Sequence, residues 1–197
     1  MELYSLRFLG VNDEDMKDMY FVFEALTGFV YELQKYCAAL EVIQKTKANK
    51  APDKTMPAVV EISEQAIEQQ MLSVLSKVFD KEAFKDIANC SFKKLQAQCR
   101  ELKVNETVLN GIDELYEIYE KTLSVHVRNK KIAHFDLETL QSGEITEIEF
   151  DQLKSLLTAS CKTLSTLSEE IFWSDVSFPS IERLISDMEN QLESYMH

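Results

Sequence analysis

The sequence predicts an all-α protein, an up-and-down bundle of about five or six helices, and three observations carry that prediction. Only four glycines and three prolines occur in 197 residues, too few for the many tight turns of an all-β fold. Apolar residues recur in steps of three and four over long stretches, the period of a helix with one buried face. The connections between these stretches are short, as in antiparallel bundles. A hydrophobic content of 45% with 28% charged residues fits one soluble globular domain over residues 1–197, long enough to bury a real core.

Residues 1–12 show no clear period and read as an N-terminal arm. Asn12, Asp13, Glu14 and Asp15 suit a helix N-terminus, where the backbone dipole favours acids. Behind them Met19, Phe23, Leu26, Val30, Leu33, Cys37 and Leu40 lay one apolar stripe along a long helix. The stretch from Lys45 to Lys54 closes it, and Pro52 and Pro57 mark the following loop. A second helix is predicted over roughly Val60 to Phe79, with Ile67, Met71, Val74, Leu75 and Val78 on its inner side. Ser91 then caps a short helix carrying Phe92, Leu95 and Cys99. Asn105 starts a further turn or two, which Asn110-Gly111 is expected to interrupt.

The main helix of this half is predicted from about Asp113 to about Ala133, with Leu115, Ile118, Thr122, Val125, Asn129 and Ile132 at heptad-like spacing. Past Ser142-Gly143, Thr146 and Glu149 fit a capping box, in which each side chain satisfies a free N–H of the first turn. It leads a helix striped by Phe150, Leu153, Leu157, Leu164, Leu167 and Ile171. Pro179 opens the last helix, with Ile181, Leu184, Met188, Leu192 and Tyr195.

Charge narrows the function classes. Against 34 Asp and Glu stand 21 Lys and Arg, a formal net charge of −13. Such a surface repels nucleic acid at long range, so a broad DNA or RNA coat is excluded and no DNA partner is expected. A small basic cleft survives, because contact energies depend on charges within a Debye length of roughly 8–10 Å. Cys37, Cys90, Cys99 and Cys161 form no C-x-x-C pair and read as reduced, buried thiols of a cytoplasmic protein. The first residues lack the basic start and apolar run of a signal peptide. No window approaches the ~20 apolar residues of a membrane span, so no membrane contact is expected.

One segment departs from this background. Val125-His126-Val127-Arg128-Asn129-Lys130-Lys131-Ile132-Ala133-His134-Phe135-Asp136 gathers two of the three histidines and three cations. Asn129 lies on the apolar stripe of its helix, and leaving a buried carboxamide unpaired would cost on the order of 1–3 kcal/mol. Arg128 and His134 are separated by about 9 Å of rise and roughly 120° of rotation on an ideal helix. One rigid helix does not converge both heads on one atom. Two copies of the helix apposed across a two-fold axis do so more easily.

The segment Arg128-Asn129-Lys130-Lys131-Ile132-Ala133-His134 resembles the R-N-x-x-x-x-H motif of the HEPN superfamily of helical nucleotide-binding and RNA-cleaving proteins. Its wording is most similar to the abortive-infection, AbiU-like branch. The upstream order Leu75-Ser76-Lys77-Val78-Phe79-Asp80 and Asn89-Cys90-Ser91-Phe92-Lys93-Lys94-Leu95 resembles that branch as well. The resemblance spans roughly Met16 to Trp173, and its specific part is the Arg–His segment.

The resemblance implies a metal-independent endoribonuclease of a toxin or phage-defence system, active as a homodimer whose two motifs share a cleft. An antitoxin protein would then be a possible partner. RNA supplies its own nucleophile, the ribose 2′-hydroxyl, so such an enzyme need only move protons and stabilise the phosphorane. His134 would be the general acid or base, and Arg128 would hold the developing charge. Asn129 would orient the phosphate or His134, while Lys130, Lys131, His126 and Asp136 would line the RNA. Some relatives carry a tyrosine two residues beyond the histidine, where a nucleotidyltransferase modifies them. Here Asp136 stands in that place, able either to favour the charged form of His134 or to cap a loop.

Plainer readings exist for the same residues. Arg128 and His134 fit a structural pair, Asn129 a register-fixing core amide, Lys130 and Lys131 a solvated helix end, and His126 a packed histidine. A non-catalytic helical module holding a nucleotide or protein is the rival function. No metal site or cofactor is predicted, since H-E-x-x-H, Glu-x-x-His, Walker and G-x-G-x-x-G patterns are absent.

Overall fold

The computed structural model describes residues 13–49, 56–80, 83–84, 87–122, 150–172 and 175–196. The fold is an all-α helical bundle with six α-helices among these residues. They are α1 (Asp13–Asn49), α2 (Met56–Val78), α3 (Phe92–Glu101), α4 (Glu106–Thr122), α5 (Phe150–Leu167) and α6 (Ile181–Met196). A π-helical turn over Ser168–Phe172 continues α5. Between α2 and α3 two-residue strands β1 (Ala83–Phe84) and β2 (Ile87–Ala88) pair antiparallel. Nothing in the hydrophobic pattern marks a strand there.

α1 is the axis of the bundle. Its 37 residues span about 55 Å at 1.5 Å each, and α2, α3, α5 and α6 all pack on it. Every member of its predicted stripe, from Met19 to Leu40, is buried. Contacts fix the directions of its neighbours. Lys154 of α5 pairs with Glu41 at 2.5 Å, and Phe172 meets Phe23 at 4.8 Å between ring centroids. Later residues thus meet earlier ones, and α5 runs antiparallel to α1. Gln34 donates to the Pro179 carbonyl at 2.9 Å, and Lys45 pairs with Glu189 at 3.1 Å, so α6 runs parallel to α1.

The Glu41 carboxylate feels two opposing effects. Burial disfavours its charge, but the ammonium groups of Lys154 and Lys45 outweigh this and hold it below the usual carboxylate range. Burial is the largest influence on the Cys37, Cys99 and Cys161 thiols and pushes them up to about 12, which leaves them inert as nucleophiles near neutral pH. All four cysteines are free, with Cys37 and Cys99 fully buried and Cys90 and Cys161 half-buried.

Two element boundaries differ from expectation. α2 begins at Met56 and takes Pro57 into its first turn, where a missing N–H breaks no intrahelical bond. α4 begins at Glu106 and runs unbroken through Asn110-Gly111, rather than restarting near Asp113. Val108, Ile112, Leu115 and Tyr119 are buried on one stripe across that point. Packing of this stripe outweighs the ~1 kcal/mol helix penalty of one glycine. A Cβ on Gly111 would lie 3.5 Å from Thr163 Oγ1, an ordinary contact. Gly111→Ala is therefore expected to raise stability by about 0.5–1 kcal/mol, read as a higher denaturation midpoint; a lower one would contradict a relaxed, continuous α4.

Local chemistry sets the remaining ends. The Ser91 hydroxyl accepts from the Lys94 N–H at 3.3 Å, as an N-cap does. α3 stops in a Schellman motif, with Val104 N donating to Cys99 O at 2.9 Å and Lys103 N to Arg100 O at 3.1 Å. Lys103 takes the left-handed position there, φ 53°, where glycine would be the easier residue. Asn105 then caps α4 by accepting from Thr107 N at 3.1 Å. At α6, Ser180 rather than Pro179 is the cap, accepting from Arg183 N at 3.2 Å.

Candidate functional site

The predicted site residues His126, Arg128, Asn129, Lys130, Lys131, His134 and Asp136 lie outside the described residues, as do the arm 1–12 and the capping box of Thr146 and Glu149. Described in full are the helices on either side, α4 up to Thr122 and α5 from Phe150. Their packing sets where the described chain stops before the motif segment, at Thr122, and resumes after it, at Phe150.

α4 is held from three sides. Along its inner face Val108, Ile112, Leu115, Tyr119 and Thr122 are buried, and the Thr122 hydroxyl donates back to Ile118 O at 2.8 Å. Against α5, Gly111 lies beside Thr163. Against α3, two contacts run in antiparallel register. Gln96 donates to Asp113 Oδ1 at 2.6 Å, and the Lys93 ammonium lies 4.1 Å from the Tyr116 ring centroid. Phe79, just past α2, stacks on Tyr119 at 4.3 Å and meets Tyr116 edge-on at 5.6 Å. Phe79 also meets Phe92 of α3 at 5.5 Å between ring centroids, so the last two turns of α4 rest on an aromatic floor to which α3, α4 and the turn after α2 contribute.

This floor also settles the role of Lys93. Its ammonium is engaged by the Tyr116 ring and reaches Gln96 Oε1 at 3.5 Å, so it braces the α3–α4 hairpin instead of presenting a free cation. Burial pushes the Tyr116 phenol up, and the neighbouring Lys93 backbone N–H offsets only part of that. Tyr116 stays neutral at any ordinary pH. It serves as a packing surface, with no proton to give near neutrality.

The solvent face of α4 is acidic. Asp113, Glu114, Glu117 and Glu120 are all exposed, and Lys121 is the first cation after them. Phosphates are repelled along this ridge.

Pattern reading missed three buried amides, Gln34, Gln96 and Gln98. Each is a polar letter with charged or polar residues close by in the sequence, and so reads as surface. The available signal for Gln96 is its place beside Leu95 on a strongly amphipathic short helix, one step inside the apolar edge. Among the described residues no group of three or more His, Cys, Asp or Glu could hold a metal ion, and no helix is long and apolar enough to cross a membrane. Comparison with protein-family models, curated proteins and solved structures gives no match for this chain.

Proposed function

We propose that the chain is a metal-independent endoribonuclease of the HEPN type, acting in a toxin or phage-defence role. The observation that carries this reading is the segment Arg128-Asn129-Lys130-Lys131-Ile132-Ala133-His134, which follows the packed end of α4 in sequence. The all-α bundle supports it, being the class of fold that the resemblance implies. In the proposed reaction the 2′-hydroxyl attacks the adjacent phosphorus and gives its proton to a base. The leaving 5′-oxygen receives a proton from an acid, and the product ends are a cyclic phosphate and a 5′-hydroxyl. His134 carries the proton transfer, Arg128 holds the phosphorane charge, and Asn129 orients either the phosphate or the imidazole. Lys130, Lys131 and His126 grip flanking phosphates, and Asp136 lies near His134 in sequence to tune it.

The test is cleavage of total cellular RNA by purified protein in EDTA, wild type beside His134→Ala. Wild type is expected to cleave and leave cyclic-phosphate ends. His134→Ala is expected to lose at least 100-fold in rate, on the order of the 10²–10⁴ that one acid–base group contributes, with helicity unchanged. Cleavage retained by His134→Ala would remove that residue from the mechanism.

A second reading has its own support. For a non-catalytic helical module that holds a nucleotide or a protein, the exposed acidic ridge of α4 and the net charge of −13 favour the protein case, a partner with a basic face. Absence of cleavage in both samples, with a nucleotide or antitoxin partner bound, favours that reading.

A further inference from the structure

α1 carries a face that no described element covers. Phe21 is 67% exposed and Tyr31 40%, and a Cβ on Gly28 would point into open space. On an ideal helix Glu14, Lys17, Phe21, Gly28, Glu32 and Lys35 fall within an arc of roughly 60°. Read in order, this row is acid, base, aromatic, glycine, acid, base. It is complementary to its own reverse. About a midpoint between Glu24 and Ala25, Glu14 mirrors Lys35, Lys17 mirrors Glu32, and Phe21 mirrors Gly28.

An antiparallel meeting of two identical helices about a two-fold axis puts mirrored positions opposite one another. We propose that this face docks a second copy of the chain, α1 against α1. Phe21 of each copy sits over Gly28 of the other, where the absent side chain leaves room for a ring. Lys17 faces Glu32 at both ends. The row spans about 32 Å of helix, with its apolar part central and its charges at the rim, the usual anatomy of an interface. Glu24, near the axis, is drawn aside by its hydrogen bond from the Tyr20 hydroxyl at 2.7 Å, which keeps two like charges from meeting there. Lys35 lies over the ring of Tyr31, beside the row, at 4.8 Å.

This interface is independent of the ribonuclease reading and of any pairing through residues 125–136. It is tested by the mass of the full chain in solution, at low salt and matched concentration. The four samples are wild type, Lys17→Glu, Glu32→Lys and the double swap Lys17→Glu/Glu32→Lys. Each single swap places like charges opposite each other twice per interface and is expected to halve the mass. The double swap restores opposite charges and is expected to recover the wild-type mass. Phe21→Ser is expected to halve it as well, and circular dichroism confirms that helicity is kept. A monomeric wild type overturns the proposal. Single swaps that keep the wild-type mass, or a double swap that stays at half, also overturn it.

Discussion

Phe92→Ala is expected to lower the free energy of unfolding by about 3–5 kcal/mol, the usual cost of emptying a large buried aromatic site. Phe92 is completely buried, at the first position of α3, directly after the Ser91 cap. Its ring lies 5.5 Å from Phe79, which in turn stacks on Tyr119 of α4. Removing it opens a void where the end of α2, the start of α3 and the last turns of α4 meet. The rigid helices around it cannot close that void without unstacking Phe79, so both the transfer loss and the cavity cost remain. Urea denaturation checks this, as a drop in midpoint at unchanged slope. Ile62→Ala, on an exposed site of α2, is the control and should stay within about 0.5 kcal/mol. A Phe92→Ala cost as small as the control's would mean that the aromatic floor does not hold α4 in place.

That floor shows how the chain's legibility divides. Apolar periodicity alone placed Phe92, Leu95 and Cys99 on one buried side, and all three are fully buried. The stripe of α1 from Met19 to Leu40 was equally plain, because seven apolar residues at helical spacing leave little freedom. Failures came where a local signal competed with packing. Asn110-Gly111 is a good breaker in isolation, yet Val108, Ile112 and Leu115 bury across it and keep α4 whole. Pro57 reads as loop, yet a helix's first turn accepts proline.

Buried amides were illegible for a different reason. Gln34 is buried because the Pro179 carbonyl, far along the chain, takes its N–H, and Gln96 because Asp113 does the same. Such partners belong to tertiary structure, so no window of sequence announces them. The left-handed Lys103 is similar, since only the Schellman hydrogen bonds reveal a turn that a glycine would have advertised. The candidate site is the opposite case. Arg128, Asn129 and His134 are legible as a motif, and they lie outside the described residues. The packed length of α4 and its acidic outer face bound what precedes them in the chain.

Mixing two inactive variants is the sharpest test of how the proposed catalytic groups are shared. If residues 128–134 form an ideal helix, as the sequence pattern predicts, the six-residue step from Arg128 to His134 is about 9 Å of rise and roughly 120° of turn, so one helix would not bring both heads to one atom. If each Arg–His pair in the shared cleft takes Arg128 from one copy and His134 from the other, a heterodimer of Arg128→Ala with His134→Ala has one dead pair and one intact. Equal, fully exchanged mixtures contain half heterodimers, so activity is expected to return to about a quarter of wild type under two-fold symmetry. Each variant alone stays inactive. If each pair is instead formed within one chain, both pairs of the heterodimer are broken and nothing returns. The same experiment with the α1 swap variant Lys17→Glu separates the two proposed contacts. Complementation that survives the swap places the shared cleft away from α1, while complementation lost with it makes the α1 pairing the contact on which the cleft depends.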